Sequence, residues 1–340
     1  MGRGGPALPR FRFPLALVEP WRRHAAPWLI GSALVLNVLG VVLPFMELRR
    51  GLAHHVYSLP RSVGMLWDSG LYVLAVVVVA FSVVFPFVKL AILGAIVLGR
   101  LRGARAQAQL AFVARFGKWS MLDVFLVCLM LALANDQLLV GATPMVGILC
   151  FTSSIVLSMF ASSRMQATLA SGPAQLPALP ASHERRHRLL LGQGCLLVLV
   201  VAVVLVPFLE IDDWLFSDHP VSIAIAIAGL WQTGAEVLAI VIALFLVAAP
   251  LAAGVLMLYT LKSWRNGVDA PRARRWRAEL EHWAMLDVFA LALGIFLVEG
   301  RSFVKTELSW GAFLLALLLV VYWAAAALYE RRAGATSPPA

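Results

Sequence analysis

Apolar residues fall into eight long runs separated by charged, glycine- or proline-containing stretches, at about 28–46, 71–98, 119–138, 143–162, 189–209, 235–261, 283–299 and 309–329. At about 1.5 Å per residue, a helix of about 18 or more apolar residues crosses a hydrocarbon layer of about 30 Å. In lipid a helix satisfies its own backbone polar groups, so recurring runs of this length predict an all-α polytopic bundle of about eight spans. The second and sixth runs exceed that thickness, so tilt or protrusion is expected there. The first run is long, lacks a small-x-small cleavage site and follows a basic arm, which predicts a retained span rather than a signal peptide.

Particular residues between and inside the runs repeat. Trp119, Met121, Leu122, Asp123, Val124 and Phe125 recur as Trp283, Met285, Leu286, Asp287, Val288 and Phe289. Leu66, Trp67, Gly70 and Pro86 recur as Leu230, Trp231, Gly234 and Pro250, all at an offset of 164 residues. Pro44, Phe45 and Glu47 recur as Pro207, Phe208 and Glu210, one residue short of it. Two tandem four-span repeats follow, in the same orientation because each holds an even number of spans. The expected organisation is a basic arm at 1–27, a first repeat at 28–163, a linker at 164–188, a second repeat at 189–329 and a tail at 330–340. Gly172, Pro173, Pro177 and Pro180 mark the linker.

Charge orients the bundle. The net charge is +10, with 61% hydrophobic and only 14% charged residues. About 22 Lys and Arg fall on the side of the termini, in the arm, the second-to-third and sixth-to-seventh connections, the linker and the tail; 5 fall on the other side. The excess places both termini in the cytoplasm, and nucleic-acid binding is not expected because no base-reading module accompanies the charge. The outer connections, about 47–70 and 210–234, have room for small structure: His54 to Tyr57 read as strand or loop, and the runs from Ser62 and Val221 as short interfacial helices.

Lys89 lies inside the second run, roughly 14 Å from its cytoplasmic end. Asp123 lies a turn or two inside the third. A lone intramembrane charge is costly, so these two are expected to meet, either as a fixed ion pair or as a titrating pair that couples proton movement to transport. Lys89 aligns with Ala253 and Lys118 with His282, so Asp287 has no lysine of its own half. It is expected to cap its helix, to accept from Trp283 or His282, or to stay protonated. Pro86 and Pro250 interrupt long spans and predict kinks, hinges or a lateral wedge. Trp67 and Trp231 suit an outer aromatic belt. Ser153, Ser154, Ser158, Ser162 and Ser163 suit helix packing. Cys128, Cys150 and Cys195 form no Cys-x-x-Cys, so no structural metal and no cofactor is expected. With no nucleophile elbow, phosphate loop or paired catalytic carboxylates, the chain does not read as an enzyme.

The segment Gly117 to Phe125, with Pro86-Phe87-Val88-Lys89 before it, resembles the paraquat-inducible protein A family, and the likeness runs from Leu43-Pro44-Phe45 to the last span. The resemblance implies a multi-pass protein of the bacterial inner membrane, handling lipids with a periplasmic protein built from mammalian-cell-entry domains and supporting envelope integrity. Many such relatives carry cysteine-rich zinc ribbons, which this sequence lacks. Two rival readings are a non-transporting scaffold for that partner and a proton-coupled transporter of a small solute. A lateral apolar opening favours lipid, a closed polar midplane pocket favours a small solute, and neither favours the scaffold.

Overall fold

The computed structural model describes residues 25–50, 53–68, 70, 72–135, 140–169, 183–213, 216–265, 271–299 and 306–334. The expectation for the N-terminal arm therefore falls almost wholly outside the described residues, as does the centre of the linker. The protein is mostly helical.

In the first half, α1 (Ala26–Val42) ends where Pro44 prevents continuation, with Leu43 N–H closing the last turn on Leu39. Strands β1 (Met46–Arg50) and β2 (Ala53–Tyr57) lead to the short helix α2 (Leu59–Asp68). Next come α3 (Tyr72–Val78), a π-helical segment (Val79–Val84) and α4 (Phe85–Val97). Helix α5 (Gly103–Phe116), a 3-10 segment (Gly117–Met121) and α6 (Leu122–Asn135) follow. Strand β3 (Val140–Pro144) precedes α7 (Val146–Leu169).

The second half repeats that order. It holds α8 (His183–Leu205), β4 (Leu209–Asp213), β5 (Phe216–Val221) and α9 (Ile223–Gln232). Then come α10 (Glu236–Ile242), a second π segment (Ala243–Ala248) and α11 (Ala249–Arg265). Helices α12 (Pro271–Trp283) and α13 (Leu286–Glu299), strand β6 (Thr306–Leu308) and α14 (Trp310–Gly334) complete it.

A helix lies in each of the eight apolar runs. Among the described residues, four helical stretches are long and apolar enough to cross a membrane: Ala75–Val97, Val146–Gln166, Glu236–Ser263 and Trp276–Leu297. The helices in the first, fifth and eighth runs are apolar but shorter. The third run differs from expectation: its first residues form the 3-10 segment, and the regular helix starts only at Leu122. The linker is also shorter than expected, because α7 continues to Leu169 and α8 begins at His183. Similarly α14 runs into the expected tail, to Gly334.

Each half carries a three-stranded antiparallel sheet, ordered β2-β1-β3 and β5-β4-β6. Met46 pairs with Tyr57 on one side and Pro144 on the other; Leu209 pairs likewise with Val221 and Leu308. The sheets tie the end of the first helix of each half to the start of its last one. Gly147 N–H donates to Pro44 C=O at 3.0 Å, and Gly311 N–H to Pro207 C=O at 2.8 Å. A Cβ on either glycine would sit 2.4 Å from that carbonyl oxygen, so only glycine permits the approach. Gly70 and Gly234 adopt φ +79° and +77° at equivalent turns.

The core centres on α6 and α13. Met121, Val124, Phe125, Met285, Val288 and Ala292 are buried, as befits helices that are apolar all round. Phe125 meets Phe289, its own counterpart in the repeat, edge-on at 6.1 Å between ring centres. Helix α1 lies close along α7: Gly40 faces the Phe151 backbone, and Ser154 Oγ donates to Ala33 C=O at 2.6 Å. Leu34, Val76, Val88, Val198, Ile240 and Val320 stay exposed on the outer helices.

Candidate functional site

Polar side chains gather at the end of the bundle opposite the sheets, where α4, α5, the 3-10 segment, α6, α12 and α13 meet. In α4, Lys89 is 1% exposed, and its Nζ has no hydrogen-bond partner among the described residues. It lies against Gly117, where a Cβ would stand 3.6 Å from Nζ. Asp123, in the first turn of α6, is 4% exposed, and its Oδ2 also has no partner among the described residues. The expected meeting of Lys89 with Asp123 is therefore not made in this structure. Ser82, fully buried in the first π segment, faces the Asp123 carboxyl without completing a hydrogen bond. Ser120, one turn before Asp123, is equally buried and unpartnered.

The ion pair that does form crosses the halves. Lys118 Nζ donates to Asp287 Oδ2, with side-chain exposures of 28% and 18%. Asp287 thus takes a cation from the first half instead of capping α13 or accepting from Trp283 or His282. Burial explains the choice: the 3-10 segment packs on α13 and brings Lys118 over the first turn of that helix. His282, at the end of α12, is half-buried and within electrostatic reach of Lys89, Lys118 and Glu279. Arg277 binds Glu281 one turn away along α12 at 2.6 Å.

The repeated motif builds the floor of this site. Trp119 packs on Phe81 at 6.1 Å, and Trp283 stacks on Phe245 at 5.5 Å and 2°. Both phenylalanines belong to the π segments, and Met121 and Met285 are fully buried beside them. Each π segment ends just before a proline. Pro86 has no N–H for the Ser82 carbonyl, and Pro250 none for Leu246; the wide turn, with Phe85 N–H bonding back to Ala80 and Ala249 N–H to Leu244, relieves the ring clash. The polar set belongs to the first half alone: Ser82, Lys89 and Ser120 correspond to Leu246, Ala253 and Ala284. The sequence pattern marked Lys89 and Asp123 but missed Ser82 and Ser120, whose signal was a hydroxyl within an apolar run beside Pro86 or Asp123.

Near the sheet end of the first half lies an apolar groove of about 380 Å³. Its walls are Val63, Trp67, Ala75, Val76, Val79, Ala80 and Val84, so α2 and the first π segment frame it. A second void, walled by Phe125, Cys128, Phe208 and Phe289 among others, holds only about 10 Å³. Cys128 is buried, Cys150 half-buried and Cys195 exposed.

The family model described as paraquat-inducible protein A matches the chain twice, over residues 24–170 and 188–334. The intermembrane transport protein PqiA of Escherichia coli strain K12 is 25% identical over 147 residues, 41% of this chain and 35% of that protein. The protein of the same name in Shigella flexneri has the same identity and coverage. The chain thus aligns with about a third of the length of these curated relatives. No solved structure matches it significantly.

Proposed function

Because the chain belongs to the paraquat-inducible protein A family, we propose that it is the inner-membrane component of a lipid-transport system between the inner and outer membranes. Its partner in this reading is a periplasmic protein of mammalian-cell-entry domains, and it catalyses no covalent reaction. The name of its relatives, intermembrane transport protein, supports the transport class. The observation that carries the lipid reading is the groove beside α2. Its described walls are apolar, it is open along the side of the bundle, and its volume suits acyl chain rather than a hydrated solute. The void beside Phe125, apolar and barely of water size, has no room for a solute.

Eight spans in two same-orientation repeats, 28–163 and 189–329, fit the repeated order of elements. With both termini cytoplasmic, the sheets and the groove face the periplasmic half of the membrane. The Lys89, Lys118, Asp123, His282 and Asp287 cluster then lies on the cytoplasmic side. Pro86 and Pro250, each following a π segment, would give each long span a place to flex beside a lipid entrance.

The test is photolabelling with a phospholipid carrying a photoreactive acyl chain, in membranes holding the intact protein. Label is expected to concentrate within residues 63–84 and to fall at least severalfold in Val76→Trp, whose indole fills the groove. Equal labelling at Val198, on an outer face of α8, would mean ordinary surrounding lipid and would leave the scaffold reading in its place.

A further inference from the structure

The two repeated aspartates meet different surroundings. Asp287 takes a fixed cation, Lys118. Asp123 is buried, and its Oδ2 has no partner among the described residues. A lone carboxylate inside a bilayer is costly, so an ionised Asp123 calls for a positive charge beside it. Lys89 does not supply it. Its Nζ lies against Gly117, roughly 10 Å before Asp123 along the 3-10 segment.

What stands beside Asp123 is a set of oxygens. Ser82, fully buried in the first π segment, faces its carboxyl. Ser120 precedes it by three residues, a spacing at which side chains eclipse in a 3-10 turn, so its buried hydroxyl lies on the same side. Neither hydroxyl has a hydrogen-bond partner among the described residues. Pro86 brings no N–H to the Ser82 carbonyl, which adds a backbone oxygen at the same turn. In the second half, Leu246 and Ala284 take the places of the two serines. Hydroxyls thus accompany the aspartate without a fixed cation, and apolar side chains accompany the one that has it.

We propose that Asp123, Ser82 and Ser120 bind a monovalent alkali cation, with the Ser82 carbonyl and water completing its shell. Hard cations take oxygen ligands, and irregular turns of membrane helices offer them carbonyls. One carboxylate offsets one positive charge. A divalent ion would leave a net charge buried, and Lys89, at the same end of the bundle, would add to it. The ion does for Asp123 what Lys118 does for Asp287, but it can exchange with solution. The first half therefore carries a place where an ion concentration acts on the bundle, whatever the groove carries.

The test is the melting temperature of the purified full chain in NaCl, KCl and choline chloride at one ionic strength. All three salts screen the Lys118–Asp287 bridge alike, and choline is too large for the site. NaCl or KCl is expected to raise the melting temperature by ~2 °C or more over choline chloride. The rise is expected to vanish in Asp123→Asn, and in Ser82→Ala combined with Ser120→Ala. Radioactive sodium, or rubidium in place of potassium, is expected to bind the wild-type chain at a single saturable site, a readout that needs no variant to fold. Equal melting temperatures in the three salts, or no saturable binding, would mean a protonated carboxyl and overturn the proposal. A rise that survives replacement of both serines would overturn it as well.

Discussion

Breaking the Lys118–Asp287 bridge probes how the halves are held together. The pair is neither exposed nor sealed, with side-chain exposures of 28% and 18%. A fully exposed pair contributes ~0–1 kcal/mol. Removing one member of a fully buried pair costs ~3–5 kcal/mol, because the survivor is left unpaired. Between these limits, Lys118→Met or Asp287→Leu alone should cost about 2 kcal/mol. In a chain of this length that corresponds to a fall of ~3 °C in melting temperature. The double variant loses both charges together, so it should also cost about 2 kcal/mol rather than twice that. The assay is thermal unfolding of the four proteins of the cycle in one detergent at one ionic strength. Single effects that add within ~0.5 kcal/mol would refute the bridge as a link between the halves.

Two further outcomes follow from the structure. Gly147→Ala and Gly311→Ala should each cost several kcal/mol and cut the yield of folded protein, since the new Cβ meets a carbonyl oxygen at 2.4 Å; Gly192→Ala, in open space on α8, should be neutral or stabilising by up to ~1 kcal/mol, and equal melting temperatures for all three would contradict the close approach. Lys89→Met should keep or raise stability, because the lysine it replaces is buried without a partner; a loss above ~3 kcal/mol by thermal unfolding would mean that Lys89 is held by a bond this arrangement does not contain.

The apolar runs marked a helix in every one of the eight places, because length and hydropathy are properties of a single segment. The repeat was equally readable, since Trp119 to Phe125 and Trp283 to Phe289 preserve their spacing. What failed was partner choice. Lys89 and Asp123 have matching depth and opposite charge, but depth does not fix which faces of two helices turn toward each other. Asp287 seemed to lack a cation because partners were sought within its own half; at an interface between repeats, counterparts exchange partners, and Lys118 meets that need. The third strand of each sheet was also missed, because three to five residues in a short connection carry no period of their own. The basic helices α5 and α12 were read only as charge, although their apolar positions recur at helical spacing: Ala106, Leu110 and Val113 are buried along α5.

The two π segments bear on the history of the chain. Val79–Val84 and Ala243–Ala248 occupy the same six places in the repeat, each just ahead of its proline. Yet their sequences, VAFSVV and ALFLVA, share only the phenylalanine and one valine. An irregular turn of this kind amounts to one residue inserted into a regular helix, and two independent insertions at one register are improbable. One insertion in an ancestral single unit, ahead of its proline and before duplication, accounts for both. Side chains around it have since diverged, giving one copy Ser82 and the other Leu246, while the backbone shape that sets them facing α6 and α13 was inherited by both.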